Sequence, residues 1–507
     1  MDRSTAEPKG GPAGLTVRTE SGEVAGLAGP GGIRIWKGVP FAAPPVGELR
    51  WRPPALPMPW SGVREAAAFG PDCPQPAPPG GGASGSRASH QSEDCLHLNI
   101  WAPPARPGES LPVMVWLFGG SFLMGSPSDT LFDGEKLASR GVILITANYR
   151  VGLFGFLAHP ALTAESPHRS SSNYALLDQL ATLRWIRDNI AAFGGDPKRV
   201  TLFGVSAGSA SISLLLTSPL AKGMFQQAIL ESPGAFRTLA SLGEAEAYGL
   251  KLGADLAALR RMSAEELIEK TPLFVPKVRG LTTPRVLRPI RDGWIIPEDE
   301  RDAFAANRFH PMPIIVGANR DEGSNFVAAW PINDVAAYRA FVAENFGPAS
   351  EEALTRYPVA EDSEVRGRLA ELFADTQFNY GVWALSRAMA RGGKGTWRYL
   401  FLKRRAGQTD GPHHGDEVPF VFGALDRPTR KGGGFDAADV ALSERLMAAW
   451  VKFAQDGNPA GEALDWKAYD SDLDNYLEFG EEVREGAGWR SDKMVFLDRF
   501  FATRGVG

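Results

Sequence analysis

Two rhythms alternate along this chain. Short uninterrupted apolar runs recur as LHLNIW (96–101), VMVWLF (113–118), VILITANY (142–149), VTLF (200–203), QAILES (227–232), IIVGAN (314–319) and WRYLFL (397–402). Runs of roughly four to eight apolar residues are what strands buried on both faces require. Between the later runs the apolar spacing changes to about 3.6. NYALLDQLATLRWIRDNIAAF (173–193) predicts a helix that stops at GGDP, and AADVALSERLMAAWVKFAQDG (437–457) predicts another. Strands alternating with helices predict an α/β fold with a mostly parallel, twisted central sheet and helices on both faces. Nearer the start, LTVRTESGEVAGL and IRIWKGVPFA alternate with period two and predict short antiparallel strands.

Composition narrows the function. The chain has 507 residues, 44% of them hydrophobic, and a net charge of −5 with both signs interspersed. It lacks the basic stripe of a nucleic-acid binder, and no apolar run approaches the ~18 residues of a membrane span. Residues 1–14 are polar and Gly/Pro-rich and are expected to be disordered, leaving 15–507 as one domain. They hold no apolar core of signal-peptide type, which leaves a cytosolic protein or an exported one whose signal has been removed. PQPAPPGGGASGSRASHQS (74–92) is expected to be a mobile surface loop. There are two cysteines, Cys73 and Cys95, and no zinc or iron–sulfur spacing, so no metal or cofactor is expected. Oligomeric state is not legible.

The candidate chemistry begins at LFGVSAGS (202–209). G-x-S-x-G arises by chance roughly a third of a time in a chain of this composition, so the flanks must carry the argument. Here a buried strand precedes Ser206 and a helical pattern follows it. That is the strand-to-helix turn of a nucleophile elbow, which exposes a serine hydroxyl above the sheet. A serine needs a base at neutral pH. Seven histidines are available, and the chain order serine, acid, histidine leaves GPHHGDE, with His413 and His414. The strand IIVG runs into a loop carrying Asp321 and Glu322, which supplies the acid. The residues alone do not choose within either pair. VMVWLFGGSF offers a second glycine-rich turn, where the N–H groups of Gly120 and Ser121 could join that of Ala207 around an oxyanion.

With these motifs in place the sequence resembles the type-B carboxylesterase/cholinesterase family of α/β-hydrolases. The similarity extends over nearly the whole chain, through KGVPFAAPPVGELRWRPP, SEDCLHLNIWAPP, VWLFGGSF, the stretch from NYALLDQL to VSAGS, GANRDEGSNF and HGDEVPFVFG. The resemblance implies a cofactor-free serine esterase with Ser206 as nucleophile, Glu322 as acid, His414 as base and Gly120, Ser121 and Ala207 as oxyanion donors. It implies a disulfide between Cys73 and Cys95, and with it a periplasmic or secreted location in place of a cytoplasmic one. Val205 stands where many relatives carry an acid, and the loop between the cysteines has no tryptophan; both argue against choline esters. The family's acyl-side loops place Arg237, Thr283 and Arg285 near the acyl group. Two arginines there suit an acyl part with free carboxylates, the chemistry of fumonisin-type members, which release tricarballylate. The alternatives are a non-catalytic adhesion protein, disfavoured by an intact triad, and an interfacial lipase. A lipase would want an apolar lid where 74–92 is polar.

Overall fold

The computed structural model describes residues 15–77, 85–106, 108–426, 434–462 and 464–503. The expected disorder of 1–14 and the centre of the 74–92 loop lie outside the described residues. A small sheet near the start joins β1 (Thr16–Arg18) and β2 (Glu23–Ala25) as an antiparallel pair, with β5 (Val63–Glu65) parallel to β2. The large sheet has eleven strands. They are β3 (Leu27–Ala28), β4 (Arg34–Pro40), β6 (His97–Ala102), β7 (Leu111–Leu117), β8 (Ile143–Ala147), β9 (Gly195–Val205), β10 (Gln227–Glu231), β11 (Ile314–Asn319), β12 (Thr396–Phe401), β13 (Asn475–Phe479) and β14 (Val483–Ala487). Their spatial order is β14-β13-β12-β11-β10-β9-β7-β8-β6-β4-β3. Pairing is parallel from β8 through β13 and antiparallel at both margins.

Each predicted strand is present within a few residues. Every residue of β7, β8, β11 and β12 is buried, as uninterrupted apolar runs require when helices cover both faces. The largest difference is β9. It starts at Gly195, five residues before VTLF, because the chain turns at Gly194 (φ 93°) and pairs at once with Leu111. The polar residues 196–199 then bulge out of register before pairing resumes at Val200. The predicted helix over 173–193 is Tyr174–Asn189 followed by a tighter turn, Ile190–Phe193. The margin hairpin β13–β14 carries charges within each strand and has no apolar run to announce it.

The expected disulfide is not formed. Cys73 and Cys95 are both buried free thiols. They hydrogen-bond each other, and that contact, followed by burial, pushes the Cys95 thiol well above its ordinary pKa. The Cys73 sulfur also accepts the Val151 N–H at 3.4 Å. Both sulfurs therefore have partners as thiols, and the disulfide's argument for export lapses. Both described ends of the intervening loop are tied to one segment: Gln75 bonds both backbone groups of Gly125, at 2.7 and 2.9 Å, and Ser86 reaches Ser128 at 2.9 Å. No helix among the described residues is long and apolar enough to cross a membrane.

Candidate active site

Ser206 sits where β9 hands over to the helix Ala207–Thr217, at the carboxyl end of the parallel strands. Its backbone is at φ 57°, ψ −117°, a region that costs a non-glycine residue on the order of 1–3 kcal/mol. The elbow is held by its own N–H, which donates to the Glu231 carbonyl at the end of β10 at 2.9 Å. A Cβ at Gly208 would lie 2.0 Å from the Leu117 carbonyl oxygen, so only glycine lets the helix approach β7. The turn after β7 has the same demand. Gly120 takes φ 129°, and a Cβ there would lie 2.0 Å from the Met124 carbonyl oxygen. Ala207 is the first residue of its helix, so its N–H has no intrahelical acceptor.

The two adjacent pairs left open by the sequence separate cleanly. The Glu322 carboxylate hydrogen-bonds His414 Nδ1. Its other oxygen accepts the Ser232 hydroxyl at 2.5 Å and the Asn319 N–H at 2.6 Å, and the side chain is fully buried. Asp321 instead closes its own turn, accepting the N–H groups of Gly323 and Ser324 at 3.3 and 3.0 Å. His413 lies in a polar cluster that includes Asp321, whose Oδ2 is 3.6 Å from its Nε2. Its backbone N–H donates to Asp416 at 2.8 Å, and its ring lies 3.3 Å from Asp410 and 3.5 Å from Asp416. His414 Nε2 is buried and makes no protein hydrogen bond. The ring packs against Phe326 edge-on and Phe378 at a tilt, with centroids at 5.2 and 4.4 Å, and both phenylalanines line the cavity that Ser206 lines. Burial alone would lower the His414 pKa. The Glu322 charge and hydrogen bond, with help from Glu417 and Asp416, raise it instead.

Two more acids stand behind Glu322. Glu417 accepts from the Asn319 amide, and burial, then the Glu322 charge, pushes its carboxyl up to about 7. Glu231 accepts the Trp450 indole N–H at 2.9 Å, and burial, then Glu417, raises it well above the carboxylate range.

Ser206 lines a small cavity partly open to solvent, with about 430 Å³ of empty space when the open part is counted. Ser121 and Ala207 border it together with Arg237, Arg279, Arg285 and Arg288. Among the described residues none of the four arginines makes an ion pair with a carboxylate. Arg285 donates to Gln377 Oε1 at 3.2 Å, while its buried Nε has no protein partner. Arg288 lies 5.5 Å over the Phe122 ring. Burial, and then the other arginines, lowers Arg237 and Arg285 well below the ordinary guanidinium range. Burial, then Arg279, lowers Arg288 to about 10. Thr283, expected beside them, is instead exposed and packs on Gly280, away from the cavity. Arg279 and Arg288 were not singled out by the sequence reading. A signal existed: the chain has no acidic residue between Glu269 and Asp292, yet carries Lys270, Lys277, Arg279, Arg285, Arg288 and Arg291 there.

The sequence model of the carboxylesterase family matches residues 13–496. The chain belongs to the carboxylesterase family. It is 44% identical over 493 residues to a fumonisin B1 esterase of Sphingopyxis macrogoltabida, covering 96% of this chain and 89% of that one. It is 37% identical over 491 residues to a para-nitrobenzyl esterase of Bacillus subtilis (strain 168), covering 92% and 95%. A solved PNB esterase superposes with a TM-score of 0.82 at 34% identity, over 96% of this chain and 99% of that one. A thermophilic PNB esterase gives a TM-score of 0.84 at 34% identity, over 95% and 99%. This carboxylesterase has the α/β-hydrolase fold and is a carboxylic ester hydrolase.

Proposed function

We propose that this carboxylesterase hydrolyses esters whose acyl part carries free carboxylates, through a Ser206–His414–Glu322 triad. Ser206 Oγ attacks the ester carbonyl, and His414 Nε2 takes its proton and returns it to the leaving alcohol. Glu322 fixes the ring through Nδ1, leaves Nε2 to act as the base, and stabilises the imidazolium that forms. The N–H groups of Gly120, Ser121 and Ala207 hold the developing oxyanion, each such donor being worth ~3 kcal/mol in the transition state. Water activated by the same histidine then clears the acyl-enzyme. The chemistry resides entirely in these side chains and backbone groups.

The observation that carries the substrate reading is the four-arginine lining of the cavity over Ser206, with no carboxylate paired to it among the described residues. All four arginines are half-buried, a cation so placed without a carboxylate partner is costly, and arginine stays charged at neutral pH. An acyl group with two or more carboxylates supplies the missing charge and suits the planar fork of a guanidinium. A neutral acyl chain would leave the cost in place. The relative named for fumonisin B1 makes a fumonisin-type ester the first substrate to try. A hydrolysis panel of neutral short-chain, neutral long-chain and polycarboxylate esters tests the reading. The polycarboxylate esters should have the highest kcat/KM, and a neutral ester at the top of the panel would overturn it.

A further inference from the structure

Among the described residues, Glu300 is a buried carboxylate whose charge acts on Arg288 of the arginine cavity. It is 2% exposed, at the first position of the short helix Glu300–Ala305. One of its oxygens accepts the hydroxyl of Ser213, which lies on the helix that Ser206 starts. The other accepts the N–H of Phe236 at 2.9 Å. Phe236 immediately precedes Arg237 and is held at φ 56°, a conformation a phenylalanine does not adopt without an anchor. Its ring stacks on Phe304, at 5.1 Å between centroids, one turn along Glu300's own helix. The neighbouring Asp299 grips the same loop, accepting the Leu239 N–H at 3.0 Å and pairing with Arg291 at 3.1 Å. The chain segment bearing Arg237 is thus fastened through Glu300 to the helix that bears the nucleophile.

We propose that Glu300 is a positioning residue for the acyl cavity: it fixes the Arg237 loop relative to Ser206 and sets how many uncompensated positive charges the cavity presents. This rests on the reading that the cavity takes an anionic acyl group. The groups facing Glu300 are Arg288 from the arginine loop, Asp299 beside it, the Ser213 hydroxyl from the nucleophile helix and the Phe236 N–H from the 232–237 loop. Burial, opposed by its two hydrogen bonds, brings its carboxyl up to about 7. Below that pH Glu300 is neutral and the arginines act at full strength. Above it the carboxylate competes with the substrate for Arg288, while Arg288 itself remains charged. Selectivity for an anionic ester therefore falls as pH rises through about 7.

The test compares two esters of one alcohol, their acyl carboxylates either free or methylated, in wild type, Glu300→Ala and Glu300→Gln. Taking the ratio of kcat/KM for the two esters cancels the titration of the triad. Glu300→Ala should lower the free-acid to methylated ratio about tenfold, through KM more than kcat. Glutamine can still accept from Phe236 and can donate to Ser213 Oγ, so Glu300→Gln should keep the ratio within about threefold at neutral pH. It should also abolish the fall in ratio that wild type shows between about pH 6 and about pH 8. A ratio unchanged by Glu300→Ala, or a glutamine variant as impaired as the alanine one, overturns the role of Glu300. A wild type with no preference for the free acid overturns the proposed function instead. Should Glu300→Ala fail to fold, Ser213→Ala cuts the same tie from the helix side; it must lower the ratio too, and an unchanged ratio overturns the proposal.

Discussion

The two sides of the cavity handle buried charge in opposite ways. Behind the triad three glutamates crowd together: Glu231, Glu322 and Glu417. Every oxygen of Glu322 is engaged, and the excess negative charge favours protonation of its neighbours, since burial and that charge push Glu417 up to about 7 and burial, then Glu417, raises Glu231 well above the carboxylate range. On the acyl side four arginines crowd together, and a guanidinium has no such exit near neutral pH. On the triad side Glu322 is fully engaged before substrate arrives, held by strand ends and buried hydrogen bonds, while His414 Nε2 keeps no protein partner. On the proposed reading, the acyl side, built from loops, is completed when a ligand brings negative charge. Catalytic power and substrate choice are therefore separable, and mutations should separate them.

The largest effect belongs to the triad side. Ser206→Ala should fold normally and lose about four to six orders of magnitude in kcat. A fluorophosphonate should label wild type and not the variant; labelling of a folded Ser206→Ala protein would contradict the nucleophile. Next come the neighbours. Glu322→Gln and His414→Ala should each cost at least about a hundredfold in kcat on any ester, while Asp321→Asn and His413→Ala cost far less. Equal losses within a pair would mean that the hydrogen bonds of Glu322 and His414 are not what distinguishes them. On the acyl side the effect should depend on the substrate. Arg285→Met removes a charged partner worth ~1.5–3 kcal/mol, a roughly 10- to 150-fold loss in kcat/KM for an anionic ester. Neutral esters should be unaffected or improve, since a buried cation disfavours an apolar acyl chain. Equal losses on both would make Arg285 structural.

The smallest effect is a shift in pH profile. His414 must be neutral to accept the serine proton, so the rate rises as the imidazole deprotonates. Its pKa is raised above the ordinary 6.5, against burial, chiefly by Glu322. The acid limb measured on a neutral ester should therefore lie above 6.5, and Asp416→Asn should move it down by a few tenths of a unit. A limb below 6.5 would mean that burial outweighs the Glu322 charge.

Local backbone demands were legible in the chain; charge placement across loops was not. The elbow could be read because a buried strand, two glycines and a helical pattern leave few conformations to a serine between them. The choice of Glu322 over Asp321 could not, because both follow β11 directly and differ only in which way the turn points them. Asp321 spends one oxygen on its own turn and sets the other beside His413, and Glu322 reaches inward to Ser232 and His414. Arg237 and Arg285 were reachable through family loops, whereas Arg279 and Arg288 needed the fold to bring a stretch without acids over Ser206. Thr283 failed for the same reason, since a loop's sequence does not say which of its residues face inward. The family disulfide failed because proximity is not a bond: Cys73 and Cys95 meet as buried thiols.

The central claim is that the acyl side waits for negative charge. Its most direct test is wild-type kcat/KM for two esters of one alcohol, one with free acyl carboxylates and one with those carboxylates methylated, read at low and high salt. The account predicts that the free acid is preferred at least about tenfold, and that high salt erodes the preference less than it would at an exposed patch, because a buried pair is poorly screened. A methylated ester hydrolysed as well as the free acid would contradict it.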